Sequence, residues 1–251
     1  MRFTVLGSGT TVPDPSRGPA GFLVQVGERA WLVDGGSGTL QRCAAAGVDP
    51  RQLSGGFYSH RHPDHCSDLP ALLFAMYVAQ RTDDYLIWAG SGFTDYFSGL
   101  SAAYGKSITL AAGAEVRVEE LPLDGPGFVD LGDLRLKTLP AAHTAGALHL
   151  AFEADGRRVV FSGDTGPSEN LSKLATQADL LVCECGASDS APYPGHLAPS
   201  EVAAIVDAAR PREVWLTHFY PQVDPEYALH TVARTGVRVR RANDLDAWGI
   251  P

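Results

Sequence analysis

Cysteine is scarce in this sequence: four residues, Cys43, Cys66, Cys183 and Cys185, in a chain of 251. Four thiols make no disulfide framework for a chain of this length. The opening Met1-Arg2-Phe3-Thr4-Val5-Leu6 runs into a strand-like pattern instead of a signal peptide, so the expected compartment is the cytoplasm. Long apolar runs are missing as well. The longest, near Leu69 to Ala79, falls far short of the ~20 residues that cross a bilayer, and no membrane partner is expected. Positive charge is in deficit: 20 Lys+Arg against 29 Asp+Glu leave a formal net charge of −9, the wrong sign for gripping a long polyanion through a general basic surface. No long nucleic acid is expected as a partner. A dinucleotide site is missing too, because the third glycine that would complete G-x-G-x-x-G after Gly7-Ser8-Gly9 is replaced by Val12.

What is present is the composition of an ordinary soluble globular protein, 45% hydrophobic and 20% charged. With no internal repeat, low-complexity tract or linker, the chain is expected to form a single domain over residues 1–251. Strand-like runs come first: Phe3 to Leu6, Gly21 to Val26, Ala30 to Val33 across a Gly27-Glu28 turn, Gly55 to Ser59, and Tyr85 to Ala89. Helices are expected at Leu40 to Ala46, from Ser67 as N-cap with Leu69, Leu72, Leu73, Met76 and Tyr77 on one face, and at Thr94 to Ala103. Half-buried strands follow at Val116 to Glu119 and Leu134 to Leu139, and Ala147 to Glu153 pairs with Arg158 to Phe161 through Asp155-Gly156. The last third alternates helix and strand: Glu169 to Ala175, Leu180 to Cys183, Ser200 to Ala209, Glu213 to Leu216, and Pro225 to Ala233. This order predicts an α/β protein of two packed sheets covered by helices.

The chemistry concentrates in His60-Arg61-His62-Pro63-Asp64-His65. In an extended segment residues i and i+2 face one side, and Pro63 disfavours a helical His62, so His60 and His62 can converge on one ion. Asp64 and His65 are then free for a second. Imidazole and carboxylate without thiolate favour zinc, with manganese and iron left open. His143, Asp164 and His218 each stand just past a predicted strand, where loops open on a common edge. His149, between Leu148 and Leu150, and His230 are expected to be structural, as are Cys183 and Cys185 on one buried strand face. Glu184 between them is a candidate to orient a ligand histidine. Gly35, Gly36 and Gly38 suit a tight turn, with Asp34 nearby as a candidate hydrogen-bond acceptor.

His60-x-His62-x-Asp64-His65, a separate His143, Ser162-Gly163-Asp164-Thr165 and Leu216-Thr217-His218-Phe219 together resemble the metallo-β-lactamase superfamily over nearly the whole chain. The resemblance implies an αββα sandwich of two mixed β-sheets flanked by helices. It also implies that His60, His62 and His143 hold one zinc, that Asp64, His65 and His218 hold the other, and that Asp164 bridges them. Leu6-Gly7-Ser8-Gly9-Thr10 and His196 ahead of a helix resemble the ribonuclease Z-like branch. Its tRNA-processing members carry a long arm between the positions of His143 and Asp164, where this sequence has room only for a hairpin. Phe219-Tyr220-Pro221-Gln222 also departs from their pattern. The likeness is therefore closer to armless members, including atypical bacterial cyclic-nucleotide phosphodiesterases, and implies a homodimer.

Two zincs can hold a hydroxide, polarise an electrophile and stabilise the oxyanion that develops. Asp64 and His196 are the candidate catalytic residues, His196 as proton donor to a departing alkoxide. The helix from Ser67 is expected to point its positive end at the metal loop and favour a small anionic substrate. The expected activity is a dinuclear zinc phosphodiesterase on small diesters such as cyclic nucleotides. A carboxylic ester, lactone or sulfate ester hydrolase is the alternative, with Leu72, Leu73, Phe74, Met76 and Tyr77 as a possible acyl pocket. A metal-binding scaffold without turnover is the reading from another class.

Overall fold

The computed structural model describes residues 1–111 and 113–250; residue 112 and the last residue of the expected 1–251 unit lie outside that description. The chain opens with β1 (Arg2–Gly7), β2 (Gly21–Val26), β3 (Arg29–Gly35), β4 (Gly55–Tyr58), β5 (Tyr85–Gly90) and β6 (Val116–Leu121). There follow β7 (Gly127–Asp130), β8 (Arg135–Pro140), β9 (Leu148–Ala154), β10 (Arg157–Phe161), β11 (Leu180–Glu184), β12 (Glu213–Thr217) and β13 (Arg238–Arg241). The final β14 (Ala247–Gly249) returns to the first group. Among the described residues the strands make two sheets, ordered β14-β1-β2-β3-β4-β5-β6 and β13-β12-β11-β10-β9-β8-β7. Both are mixed: β3 to β6 and β10 to β13 pair in parallel, and the other neighbours pair antiparallel.

Local chemistry explains the corners. Asp155 and Gly156 both take left-handed φ, 54° and 68°, as a two-residue hairpin turn with the right twist requires. The hairpin consumes the segment between His143 and Asp164, as expected. In β11, Leu180 and Val182 face the opposite sheet while Leu181 and Cys183 face helices, so a strand covered on both sides reads as a continuous apolar run. Between the sheets Phe3, Phe22, Trp31, Phe57 and Trp88 meet Phe152, Phe161 and Trp215.

Helices cover both outer faces. On the first sheet lie α1 (Thr39–Ala45), α2 (Pro63–Cys66), α3 (Leu69–Val78) and α4 (Phe93–Tyr104), with Leu69, Leu72, Leu73 and Met76 fully buried. On the second lie α5 (Glu169–Leu174), α6 (Pro199–Ala209) and α7 (Pro225–Ala233). The result is the expected αββα sandwich. No described helix is long and apolar enough to cross a membrane.

Two expectations change. Ser67 does not cap the long helix: α2 intervenes, and Asp68 occupies the cap position while its carboxylate accepts from the Leu40 amide instead. The turn nearest the metal loop is thus the four-residue α2, too short to carry the dipole expected of the longer helix, and the Asp68 amide is already taken by the Gly35 carbonyl. The short strands β7, β13 and β14 were not expected, because Gly-Phe-Val-Asp, Arg-Val-Arg-Arg and Ala-Trp-Gly lack the alternation of a half-buried strand. All three are edge strands of their sheets.

Phe22 is fully buried, with ring centroids 5.6 Å from Phe3 and 4.6 Å from Phe161 in the facing sheet. Phe22→Ala is expected to destabilise the protein by about 3–5 kcal/mol, measured by urea denaturation; a loss under ~1 kcal/mol would mean that the two sheets do not share this core.

Candidate metal centre

The residues singled out by the sequence gather at one edge of the sandwich, where β4, β8, β10, β11 and β12 end. His60 and His62 follow β4, α2 carries Asp64 and His65, His143 follows β8, Asp164 follows β10, and His218 follows β12. The edges of the two sheets touch here: the Leu148 amide donates to the Ser59 carbonyl (2.9 Å). Gly36 must lack a side chain, because a Cβ there would stand 2.2 Å from the Asp64 carbonyl. His62 is extended (φ −67°, ψ 146°) and Pro63 starts the helical turn, which carries Asp64 and brings the His65 ring back to 4.1 Å from that of His60.

Donor atoms of His60, His62, His143 and Asp164 lie within 4.8 Å of one another, as do those of Asp64, His65 and His218. Asp164 stands between the groups. Its Oδ2 is 3.8 Å from His60 Nε2, 4.0 Å from His143 Nε2 and 3.5 Å from His218 Nε2, while Oδ1 is 3.3 Å from His65 Nε2. His143 Nε2 to His62 Nδ1 is 3.1 Å, and His218 Nε2 is 3.4 Å from both Asp64 Oδ2 and His65 Nε2. Ligands at 2.0–2.1 Å around a tetrahedral ion sit about 3.3 Å apart, so these separations suit convergence on cations.

The outward nitrogens are tethered. His65 Nδ1 is 2.8 Å from Asp34 Oδ2, His143 Nδ1 is 2.9 Å from the Gly195 carbonyl, and His60 Nδ1 is 3.1 Å from the Ser59 hydroxyl. Each ring therefore turns Nε2 inward, as oxygen partners make metal-ligating histidines do. His60 Nε2 is buried without any hydrogen-bond partner, a donor atom of the kind that a divalent cation would take as a ligand. The nitrogen and oxygen donors fit a divalent ion of the zinc type.

Electrostatics point the same way. Burial, together with the neighbouring His65, drives His60 well below its usual range. For Asp164, burial opposes ionisation, but His218, His65 and His60 outweigh it and hold the carboxyl well below the ordinary value. Burial likewise opposes Asp64, and the His218 hydrogen bond with the charge of His65 lowers it. His65 runs opposite to His60: burial works against its charge, yet Asp164 and Asp34 raise it well above normal. Two ionised carboxylates among crowded imidazoles are the electrostatic setting of a cation site.

The backbone of His218 is left-handed (φ 58°), uncommon for a residue with a Cβ. It is held by its amide, which donates to the Ser8 carbonyl (3.2 Å), and Ser8 is in turn gripped by Asp244 through amide and hydroxyl (2.9 and 2.8 Å). Beside the cluster, His196 Nδ1 lies 3.0 Å from Glu184 Oε1. Glu184 also accepts from the amides of Thr165, Gly186 and Leu197. Burial raises the Glu184 carboxyl, and for His196 the same carboxylate overcomes burial and raises the imidazole. Glu184 thus faces His196 and not one of the five histidines expected as ligands.

The remaining candidates stay apart. His149 is buried between the Ser162 carbonyl (2.6 Å) and the Ser168 hydroxyl, His230 is exposed on α7, and Cys183 and Cys185 pack against helices. Cys66 Sγ donates to the Arg61 and His62 carbonyls. Asp34 is the hydrogen-bond acceptor expected of it, fully buried and accepting from the Ser59 amide and hydroxyl, both at 2.7 Å; its pairing with His65 was not foreseen. Its place at the end of β3, parallel to β4, obeys the same strand-end rule that found His143 and Asp164.

With this centre built on a two-sheet sandwich, the family follows. Residues 29–219 match the beta-lactamase superfamily domain, and the chain belongs to that superfamily, as a metal-dependent hydrolase. The ribonuclease Z of Mycobacterium bovis (strain BCG / Pasteur 1173P2) is 30% identical to it over 274 residues, covering 98% of this chain and 96% of that one. That alignment is longer than the 251 residues present here, so the relative carries residues without a counterpart. In fold the chain is similar to the metallo-β-lactamase fold protein YhfI of Bacillus subtilis (TM-score 0.83, 22% identity, 99% of each chain). It is also similar to the short form of human tRNase Z (TM-score 0.79, 22% identity, 100% of each chain). Relatives named ribonuclease Z stand against the expectation that no long nucleic acid is a partner.

Asp34 is itself left-handed (φ 52°), a conformation that asparagine tolerates and alanine does not. Asp34→Ala strands three buried polar groups and is expected to cost about 3–5 kcal/mol, with Asp34→Asn costing clearly less. Chemical denaturation of both variants checks the order; equal losses would mean that the carboxylate contacts do not hold this corner.

Proposed function

We propose that the chain is a dinuclear zinc phosphodiesterase acting on small anionic diesters, with cyclic nucleotides as the substrate class of first choice. In this reading His60, His62 and His143 hold one ion, Asp64, His65 and His218 hold the other, and Asp164 reaches both. The observation that carries it is the position of Asp164, whose two oxygens lie within 4.0 Å of histidines from both groups. When bound, the two ions supply Lewis acidity toward phosphoryl oxygens and a nucleophilic water at neutral pH.

The chain's own residues do the rest. In this reading the Asp64 carboxylate, held against burial below its ordinary value by the His218 hydrogen bond and the charge of His65, takes a proton from the attacking water. His196, fixed at Nδ1 by Glu184, presents its other nitrogen to the departing oxygen and can deliver the proton held there. Asp34, Ser59 and the Gly195 carbonyl fix the rings, so little reorganisation is needed as charge develops.

Two features favour a small diester over other esters or a tRNA. The segment between His143 and Asp164 is spent on β9, its turn and β10, which leaves no chain for an arm. Of the five residues of the acyl-pocket alternative, Leu72, Leu73 and Met76 are wholly buried, which leaves Phe74, 48% exposed, and the half-buried Tyr77 to line one. The short α2 contributes no helix dipole, so anion preference rests on the cations alone.

Metal-loaded protein assayed on matched nitrophenyl phosphodiester and nitrophenyl carboxylic ester is expected to give the higher kcat/KM on the diester, with a precursor tRNA left uncut alongside. A tenfold advantage for the carboxylic ester, about 1.4 kcal/mol in the transition state, would assign the esterase or lactonase activity instead; site-specific tRNA 3′ processing would restore the ribonuclease reading.

A further inference from the structure

The connection between β11 and α6 is fastened along its length. Ala187 donates to the Leu197 carbonyl (3.0 Å), Asp189 accepts from the Ser200 amide and hydroxyl and from the Tyr227 hydroxyl, and the Gly195 carbonyl is 2.9 Å from His143 Nδ1. The Tyr193 carbonyl accepts the His196 amide (3.1 Å). On this fastened segment the Tyr193 ring is 57% exposed, whereas His196 behind it is 6% exposed.

The rings are ordered in a file. Tyr193 is stacked on His196 with centroids 5.4 Å apart and planes 15° from parallel, and His196 is stacked on His218 at 5.7 Å and 11°. Tyr220 stands edge-on to both histidines, 5.4 Å from each, at 76° and 80°. The file runs from the metal cluster to solvent, with Tyr193 at its outer end. Exposed aromatics elsewhere, such as Phe74, Tyr104 and Phe128, make no ring contact with a histidine of the cluster.

We propose that Tyr193 is a specificity-determining residue that selects substrates whose leaving portion carries a flat aromatic ring, an aryl group or a nucleobase, by stacking against it. The assignment rests on the hydrolase reading, in which His196 serves the departing oxygen. A group extending outward from that oxygen passes His196 and meets the Tyr193 ring next. A flat π-face at that point rewards another flat ring through offset or edge contact and gives an aliphatic group only ordinary apolar contact. Stacking on an aromatic platform tolerates any base, since each has a π-face, so Tyr193 sets the class of leaving group and not its hydrogen-bonding pattern.

The test uses competitive inhibition of the metal-loaded protein, read on whichever chromogenic ester it turns over, so it stands whether diester or carboxylic ester proves the better substrate. Phenyl phosphate is compared with cyclohexyl phosphate, and adenosine 5′-monophosphate with ribose 5-phosphate, in the wild type, Tyr193→Phe and Tyr193→Leu. In the wild type and the phenylalanine variant the aromatic member of each pair is expected to bind about tenfold more tightly. The leucine variant is expected to lose most of that advantage, with the inhibition constants of cyclohexyl phosphate and ribose 5-phosphate unchanged. A gain confined to the phenyl pair assigns an aryl leaving group, and one confined to the nucleotide pair a nucleobase. Equal weakening of both members in the leucine variant, or no aromatic advantage in the wild type, overturns the proposal.

Discussion

A buried carboxylate facing several imidazoles from different strands is the constraint on which the rest of the structure depends. Asp164 is 2% exposed, and its ionised form is costly to desolvate unless positive charge stands close by. Four histidine nitrogens at 3.3–4.0 Å cannot all carry protons at once, because like charges so close repel. Divalent cations would resolve the conflict, taking the place of protons that the cluster cannot hold. The wiring behind the rings follows from this. Asp34, the Ser59 hydroxyl and the Gly195 carbonyl hold Nδ1 atoms so that Nε2 atoms point inward, and Asp244 acts through Ser8 to keep His218 in a left-handed backbone.

The sandwich makes that arrangement possible. Parallel pairing of β3 to β5 and of β10 to β12 puts their C-terminal ends on one side, and the β9–β10 hairpin returns the chain to that edge just before Asp164. The core between the sheets, from Phe22 and Phe57 to Phe161 and Trp215, fixes how closely the two edges approach. Contacts such as Leu148 to Ser59 then set the distance between ligand loops. Chemistry and stability meet at Asp34, which is at once a corner of the core and the partner of His65.

The sandwich and the cluster were largely legible in the sequence because their signals are local. His60 to His65 declares itself through spacing in six residues, and His143, Asp164 and His218 through their places just past apolar runs. The Asp155-Gly156 and Gly27-Glu28 turns named their hairpins. What was missed depends on partners far away in the chain. Ser67 looked like a cap because serine caps helices, but the interposed Pro63–Cys66 turn and the Leu40 amide that recruits Asp68 are tertiary facts. Strands β7, β13 and β14 are stabilised by neighbours and not by their own pattern. The role of Asp34 depends on His65 meeting it across the fold, and the exposure of Tyr193 depends on how its loop is fastened.

Metal stoichiometry tests the central claim most directly. Protein purified without chelator and supplied with zinc, then freed of excess and subjected to elemental analysis, is expected to hold two ions per chain, because seven donors in two groups exceed what one tetrahedral site can use. A firm value of one ion or none, unchanged by further zinc, would contradict a dinuclear centre organised around Asp164.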